Sequence, residues 1–319
     1  MAPMLPDGRR IGAHLALGSG LLDAAERAVA LGATALQVFS DNPTAWTRRA
    51  SPAADIGAFR DRLADAGIAP LVIHGSYLIN LAGEIDELRE RSIGLLGAEL
   101  EAAVAMGARY VNIHIGSVRG GSVEDGTDRL TAGIRAALAQ TPASGVTITL
   151  ENSPGGGGSL GADLADLTAI AEALDAAGIP RSSVAFCLDT AHAWGAGHDL
   201  ASPAAIDALL DEFDRGIGLD RLPLVHLNDS RWERGSGLDR HEHVGAGRIG
   251  EVGLGHVLRH PRLAGTTYIL ETPGMDAGYD AINLERARAL ARGERLASLP
   301  PEAFALRGSR TRAATPTLS

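Results

Sequence analysis

The sequence predicts a single (β/α)8 barrel, and three observations carry that prediction. Eight short apolar segments alternate with helical ones, the order that implies parallel strand pairing. A chain of 319 residues suits one such barrel with little to spare. Six successive strand segments end on His, Asp or Glu, as expected where parallel strands deliver polar side chains to one face.

The first strand is read at 10–14 (RIGAH), followed by a helix at 21–31. Residues 35–39 (ALQVF) form the second strand and 55–66 the second helix. The third strand, 70–74 (PLVIH), leads into a long amphipathic helix at 85–106. Strands four and five, 109–114 and 145–151, flank another helix. The sixth, 184–189 (VAFCLD), is a nearly continuous apolar run, the mark of a strand covered on both faces. Strands seven and eight fall at 222–226 and 267–271. After strand seven the Arg-, Gly-, Asp- and His-rich stretch 228–250 reads as a long loop instead of a helix. Residues 1–297 are assigned to the barrel, and 298–319, rich in Pro, Ser, Thr and Arg, to a disordered tail.

Composition narrows the function classes. Hydrophobic residues make up 45% of the chain, enough for a sizeable core. No apolar run is long enough to span a bilayer, the N-terminus lacks a signal-peptide segment, and the single cysteine, Cys187, allows no internal disulfide. A cytoplasmic location, without membrane association, is expected from these features. All 29 basic residues are arginine, which excludes Schiff-base catalysis and a Walker-type phosphate loop. The formal charge of −10 argues against a generic basic coat for nucleic acid.

The strand ends carry the chemistry. His74, His114, Glu151, Asp189, His226 and Glu271 close strands three to eight at separations of 40, 37, 38, 37 and 45 residues, the repeat of a β/α unit. His192 follows Asp189 by three positions, and Asp239 and His241 sit in the long loop. Any one of these has a plain alternative: a histidine with satisfied hydrogen bonds, or an acid capping a nearby helix. Four carboxylates brought together without cations, however, would be prohibitively costly. One catalytic zinc takes about three protein ligands, so nine ligands with one bridging carboxylate suit three divalent ions. Three such ions leave the mouth with about two positive charges, a local field that favours phosphate in an acidic protein. Clustered metals of this kind serve in-line displacement at phosphorus. His, Asp and Glu ligands accept Zn2+, Mn2+ or Fe2+, so the ligand types leave the metal open.

The segments IGAHLALGSGL, VIHGSYLINLA, VNIHIGS, TLENSPGGGGSLG, CLDTAHAWGAGHDL, HLNDS, GLDRHEHVGAGRIG and ILETPG follow one another in an order that resembles the endonuclease IV family of apurinic/apyrimidinic endonucleases, over about 11–292. The resemblance implies the same barrel and three zinc or similar ions. His74 and His114 would hold the first, with Glu151 bridging to a second completed by Asp189, His226 and Glu271. His192, Asp239 and His241 would hold the third. A hydroxide between the first two ions would attack the phosphorus on the 5′ side of an abasic site in double-stranded DNA, with Glu151 positioning it, and the third ion would stabilise the departing oxygen. Such enzymes also trim blocked 3′ ends. Tyr77 and Leu78 match the family's DNA-penetrating loop, where they would wedge into the stack. A hydrophobic pair capping strand three is the plainer reading of those two.

Some positions depart from the family pattern. Thr44 stands where a DNA-inserting basic residue is often found, Gly245-Ala246-Gly247 where Gly-Glu-Gly is usual, and Ile115 in place of a proline. None of these removes a ligand. Arg231, Arg234 and Arg240, in the long loop, are candidate phosphate contacts, weighed equally against a solvated loop face. Gly155 to Gly158 are expected to let the backbone pass close to the metals or DNA, Cys187 to be core, and His14 to stand behind the site or merely pack. A monomer is expected. The rival readings are a sugar isomerase or epimerase on the same barrel, and a metal-binding protein without catalysis. Isomerases of that type need fewer ligands and often a lysine, and the Asp239/His241 pair is the best discriminator.

Overall fold

The structure, a computed structural model, describes residues 5–47, 52–141, 145–274 and 277–306. Eight parallel strands close into a barrel: β1 (Arg10–His14), β2 (Ala35–Phe39), β3 (Leu71–His74), β4 (Tyr110–His114), β5 (Thr147–Glu151), β6 (Val184–Asp189), β7 (Leu224–His226) and β10 (Thr267–Leu270). A short antiparallel pair, β8 (Asp229–Ser230) and β9 (His241–Glu242), lies outside it. Around the barrel run α1 (Leu21–Ala30), α2 (Ala53–Ala66), α3 (Asp86–Met106), α4 (Val123–Gln140), α5 (Leu164–Ala176), α6 (Thr190–Ala196), α7 (Pro203–Gly216), α8 (Gly250–Arg259) and α9 (Tyr279–Ala291). None of these helices is long and apolar enough to cross a membrane.

Strand periodicity builds the interior. Side chains alternate along a strand, so residues two apart share a face. Ala35, Val72, Cys187, Leu224 and Ile269 form one buried apolar cluster, with Tyr110 packed against it. Two residues further along each strand stand Gln37, His74, Asp189, His226, Glu271 and Asn112. The barrel therefore has an apolar floor and a polar layer above it, on the side where the strands end. A larger apolar cluster fills the space between strands and helices, including Ile73, Leu96, Leu150, Phe186 and Leu254. Burying each such side chain contributes about 1.5–3 kcal/mol.

Three predictions need adjustment, and β6 adds a detail the sequence left unspecified. Glu271 falls one residue beyond β10, its amide donating to Asn228 Oδ1 at 2.9 Å instead of to a neighbouring strand. The segment after β7 is not all loop: α8 follows it, with Gly253, Leu254, Val257 and Leu258 buried. Gly253 is required there, because a Cβ would stand 1.8 Å from the Leu200 carbonyl oxygen. β6 is followed by two helices, and the first begins at once on Thr190. The predicted tail is structured at its start: Pro301–Ala305 form a 3-10 helix with Ala303 fully buried. The Ala303 carbonyl accepts from His243 Nε2 at 2.9 Å. Residues 307–319 of that tail lie outside the described residues.

Candidate metal centre

Strand register sets the site. His114 pairs with Glu151 across β4 and β5, and Asp189 with His226 across β6 and β7, so each pair stands level at the ends of its two strands. Glu151 itself is level with Cys187, two residues before Asp189 on β6. His74 is one strand further round, level with Asn112. Asp189 has two jobs. Its Oδ1 caps α6, accepting from the His192 amide at 2.8 Å, which swings His192 over the same mouth. The β8–β9 pair brings His241 and the adjacent Asp239 across from the loop. That loop is anchored by buried Asp229, whose carboxylate accepts from the amides of Gly247, Ile249 and Gly250. Gly247 must lack a side chain, since a Cβ would meet the Ser230 carbonyl at 2.4 Å.

All nine predicted side chains converge. His74, His114 and Glu151 form one group whose ligand atoms lie within 4.8 Å of one another; Glu151, Asp189, His226 and Glu271 form a second; Asp189, His192 and His241 form a third. Asp239 joins the third, its carboxylate 3.4 Å from His192 Nε2 and 3.1 Å from His241 Nε2. Glu151 spans two groups with different oxygens. Its Oε2 faces His74 and His114 at 3.7 and 3.5 Å, and its Oε1 faces His226 at 3.1 Å. Asp189 is likewise shared, its Oδ2 being 3.9 Å from His226 and 3.6 Å from His241.

These spacings fit metal ions better than a hydrogen-bonded network. Ligands at about 2.1 Å in a tetrahedron stand about 3.4 Å apart, close to the separations above. The Nε2 atoms of His192 and His241 are shut off from solvent and make no hydrogen bond among the described residues. Buried polar atoms are rarely left so without reason. The opposite nitrogens are tied down in four of the five rings. His74, His192 and His241 direct Nδ1 to the carbonyls of Gly75, Asn152 and Glu271, at 2.8, 2.9 and 2.8 Å. His226 directs Nε2 to Gln37 Oε1 at 3.0 Å. Fixing one nitrogen aims the other as an acceptor, the usual support of a metal-bound imidazole.

The electrostatics point the same way. Burial disfavours charge on Glu151, but His226 and His114 outweigh it and hold the carboxyl well below its ordinary range. Glu271 is held low in the same manner, against burial, by His226 and His14. Burial pulls His241 down, yet Asp239 and Asp189 push it up to about 9.

Sequence reasoning missed the residues behind the ligands. Gln37 is fully buried and donates to Glu271 at 2.6 Å and to His14 at 2.9 Å. His14, left undecided, stands 3.4 Å from Glu271, so it supports the site. Asn112 donates to Glu151 Oε2 at 2.6 Å, and Asn228 to Asp189 Oδ2 at 2.7 Å. The period-two rule applied to each strand from its apolar floor would have found Gln37 and Asn112.

The predicted DNA contacts divide. Tyr77 is 56% exposed beside the ligands, its ring 5.7 Å from that of His74, and Leu78 lies next to it on the wall of a cleft of about 720 Å³. The Tyr77 amide and the Ser76 hydroxyl both donate to the Pro43 carbonyl, which ties this loop to the one bearing Thr44. Thr44 itself turns back onto Asn42. Arg240 is exposed, whereas Arg231 is held by Glu242 at 3.0 Å and largely covered. Gly156 passes against the Gly237 carbonyl, so the close approach found for the glycine run is to the long loop. Cys187 is core, and His243 belongs to the anchor of the C-terminal segment.

A model of the xylose isomerase-like TIM barrel family matches residues 25–295. The chain is 39% identical over 281 residues to "Probable endonuclease 4" of Methanoculleus marisnigri, covering 88% of this chain and 98% of that protein. It is 39% identical over 285 residues to the protein of the same name from Haloarcula marismortui, covering 89% of this chain and 99% of that protein. Among solved structures, endonuclease IV from Thermus thermophilus matches with a TM-score of 0.78 and 38% identity, covering 89% of this chain and 99% of that one. D-psicose 3-epimerase from Clostridium cellulolyticum, with a TM-score of 0.63 and 15% identity over 90% of this chain and 98% of that one, shares the fold alone. The chain belongs to the endonuclease IV family.

Proposed function

We propose that the protein is a metal-dependent DNA-repair phosphodiesterase. It cleaves duplex DNA on the 5′ side of abasic sites and removes blocking groups from 3′ ends. The observation that carries this reading is the sharing of Glu151 between two ligand groups and of Asp189 between the second and the third. Three adjacent groups linked by two carboxylates suit three ions, His74/His114/Glu151, Glu151/Asp189/His226/Glu271 and His192/Asp239/His241 with Asp189. Zinc suits this His and carboxylate donor set. Clustered divalent cations supply a neutral-pH route to a water-derived nucleophile and neutralise charge that builds on a phosphodiester.

The chain's own residues do the rest. Glu151 holds its two oxygens toward separate groups, with Asn112 fixing Oε2. Gln37 locks His226 and Glu271 together on the floor side. Tyr77 and Leu78 stand at the edge of the cleft, where an aromatic ring and an aliphatic chain enter the stack most cheaply beside a missing base. Exposed Arg240 is placed to meet phosphate; Arg231 acts chiefly to brace β9. The protein works as a monomer in the cytoplasm.

The fold does not distinguish this function from sugar epimerisation, because barrels host both. The ligand count favours phosphoryl chemistry. The test uses duplex oligonucleotides that carry one abasic site, no lesion, or a 3′-phosphoglycolate end. Incision 5′ to the abasic site and trimming of the blocked end, with the intact duplex untouched, are expected. Failure to act on either damaged duplex by folded, zinc-loaded protein would remove the proposal.

A further inference from the structure

A second group of ligand-type side chains meets on the outer helical layer, away from the barrel mouth. Asp207 stands in α7, His256 in α8, and His260 is the residue on which α8 ends. His256 Nε2 lies 2.6 Å from Asp207 Oδ1, and His260 Nε2 lies 3.3 Å from the same oxygen. The three ligand atoms are within 4.8 Å of one another. The two rings stand 5.4 Å apart at 75°. None of the three lines the cleft beside the mouth.

We propose that Asp207, His256 and His260 form a separate site for one divalent ion of the zinc type, which clamps α7 to α8. Histidines four apart lie on one face of a helix, and a carboxylate from the neighbouring helix completes a three-ligand set with room for water. Tetrahedral ligands stand about 3.4 Å apart, so His260 and Asp207 already hold that spacing. His256 and Asp207 must separate by somewhat under about 1 Å, which an exposed aspartate does by a small rotation. The ion would sit at the C-terminal end of α8, where the helix dipole favours positive charge.

A simple surface ion pair explains less. One exposed aspartate needs one partner, yet two imidazole nitrogens converge on a single oxygen, and the His260 side chain is only 8% exposed. The nearby Arg262 does not compete for Asp207, being paired with Asp211 at 2.5 Å and Asp214 at 2.8 Å. Binding at His260 Nε2 moves the remaining ring proton to Nδ1. The bond given up there, from the Arg262 amide, is a long one at 3.3 Å.

The test counts zinc per chain after dialysis of the full-length protein against micromolar Zn2+, comparing wild type with the double variant His256→Ala, His260→Ala. One ion fewer in the variant, with incision of abasic duplex unchanged, is expected. His256→Gln alone, at a half-exposed position, should lose the same ion and should also reduce the rise in Tm that Zn2+ produces. Equal zinc content in wild type and variants, the result for an ion pair only, would overturn the site. So would loss of several ions together with activity. The count is independent of whether the protein cleaves DNA, so it can fail without touching the function proposed above.

Discussion

In the proposed mechanism Glu151 is the residue on which the chemistry turns. Its two oxygens face different imidazole groups, and Gln keeps the shape while surrendering one charged oxygen. Glu151→Gln should therefore abolish incision of abasic duplex while far-ultraviolet circular dichroism and thermal unfolding remain native-like. Undiminished activity would show that the bridge is misassigned. Behind it, Gln37 makes three contacts inside the polar layer, to His226, Glu271 and His14. Loss of such supporting contacts typically costs about 10–100-fold in metal affinity or activity. Gln37→Ala should weaken zinc binding by about that factor, measured by competition with a chromogenic chelator; unchanged affinity would place Gln37 outside the site's support. The nine converging side chains were legible because six end apolar runs, His192 follows one of them by three positions, and Asp239 and His241 stand together in one polar loop. Gln37 and Asn112 were not, since a neutral amide within a strand resembles ordinary half-buried polarity until the inward register is known.

Among elements, the loops after β2 and β3 are joined into one unit through Pro43, Ser76 and Tyr77. Tyr77 projects from this unit next to the ligands without belonging to them. Tyr77→Ala should lower affinity for abasic duplex, read by fluorescence anisotropy with metal content unchanged. Equal binding would discard the wedge. Strand β6 offers a different check. Burial pushes the Cys187 thiol from its ordinary 9.0 up to about 12, against the pull of His226. The folded thiol thus keeps its proton above the pH at which the unfolded one ionises, so this group's contribution to stability is lost as pH rises from 9.0 toward about 12. Cys187 should be inert to a thiol reagent at about pH 9 and react promptly in denaturant; rapid native-state labelling would contradict the apolar floor. Strand boundaries were readable to within a residue or two. The helix α8 was hidden because its glycines read as loop, although one of them, Gly253, is needed for close packing against Leu200.

At the scale of the whole molecule, an acidic chain presents a site that binds an acidic substrate only if cations reverse the local field. The barrel makes this possible by stacking an apolar floor beneath a layer of carboxylates and imidazoles, most of them contributed by strand ends. The order of the barrel was legible from strand and helix periodicity. Its C-terminal closure was not, because the contact between His243 and Ala303 spans elements that look unrelated along the chain. The most direct measurement is incision of a duplex with one abasic site by protein stripped of metal with a chelator, then reloaded with Zn2+. Cleavage on the 5′ side should vanish on stripping and return on reloading. Equal cleavage by stripped, metal-free protein, or none by folded, zinc-loaded protein, would contradict the metal-dependent mechanism.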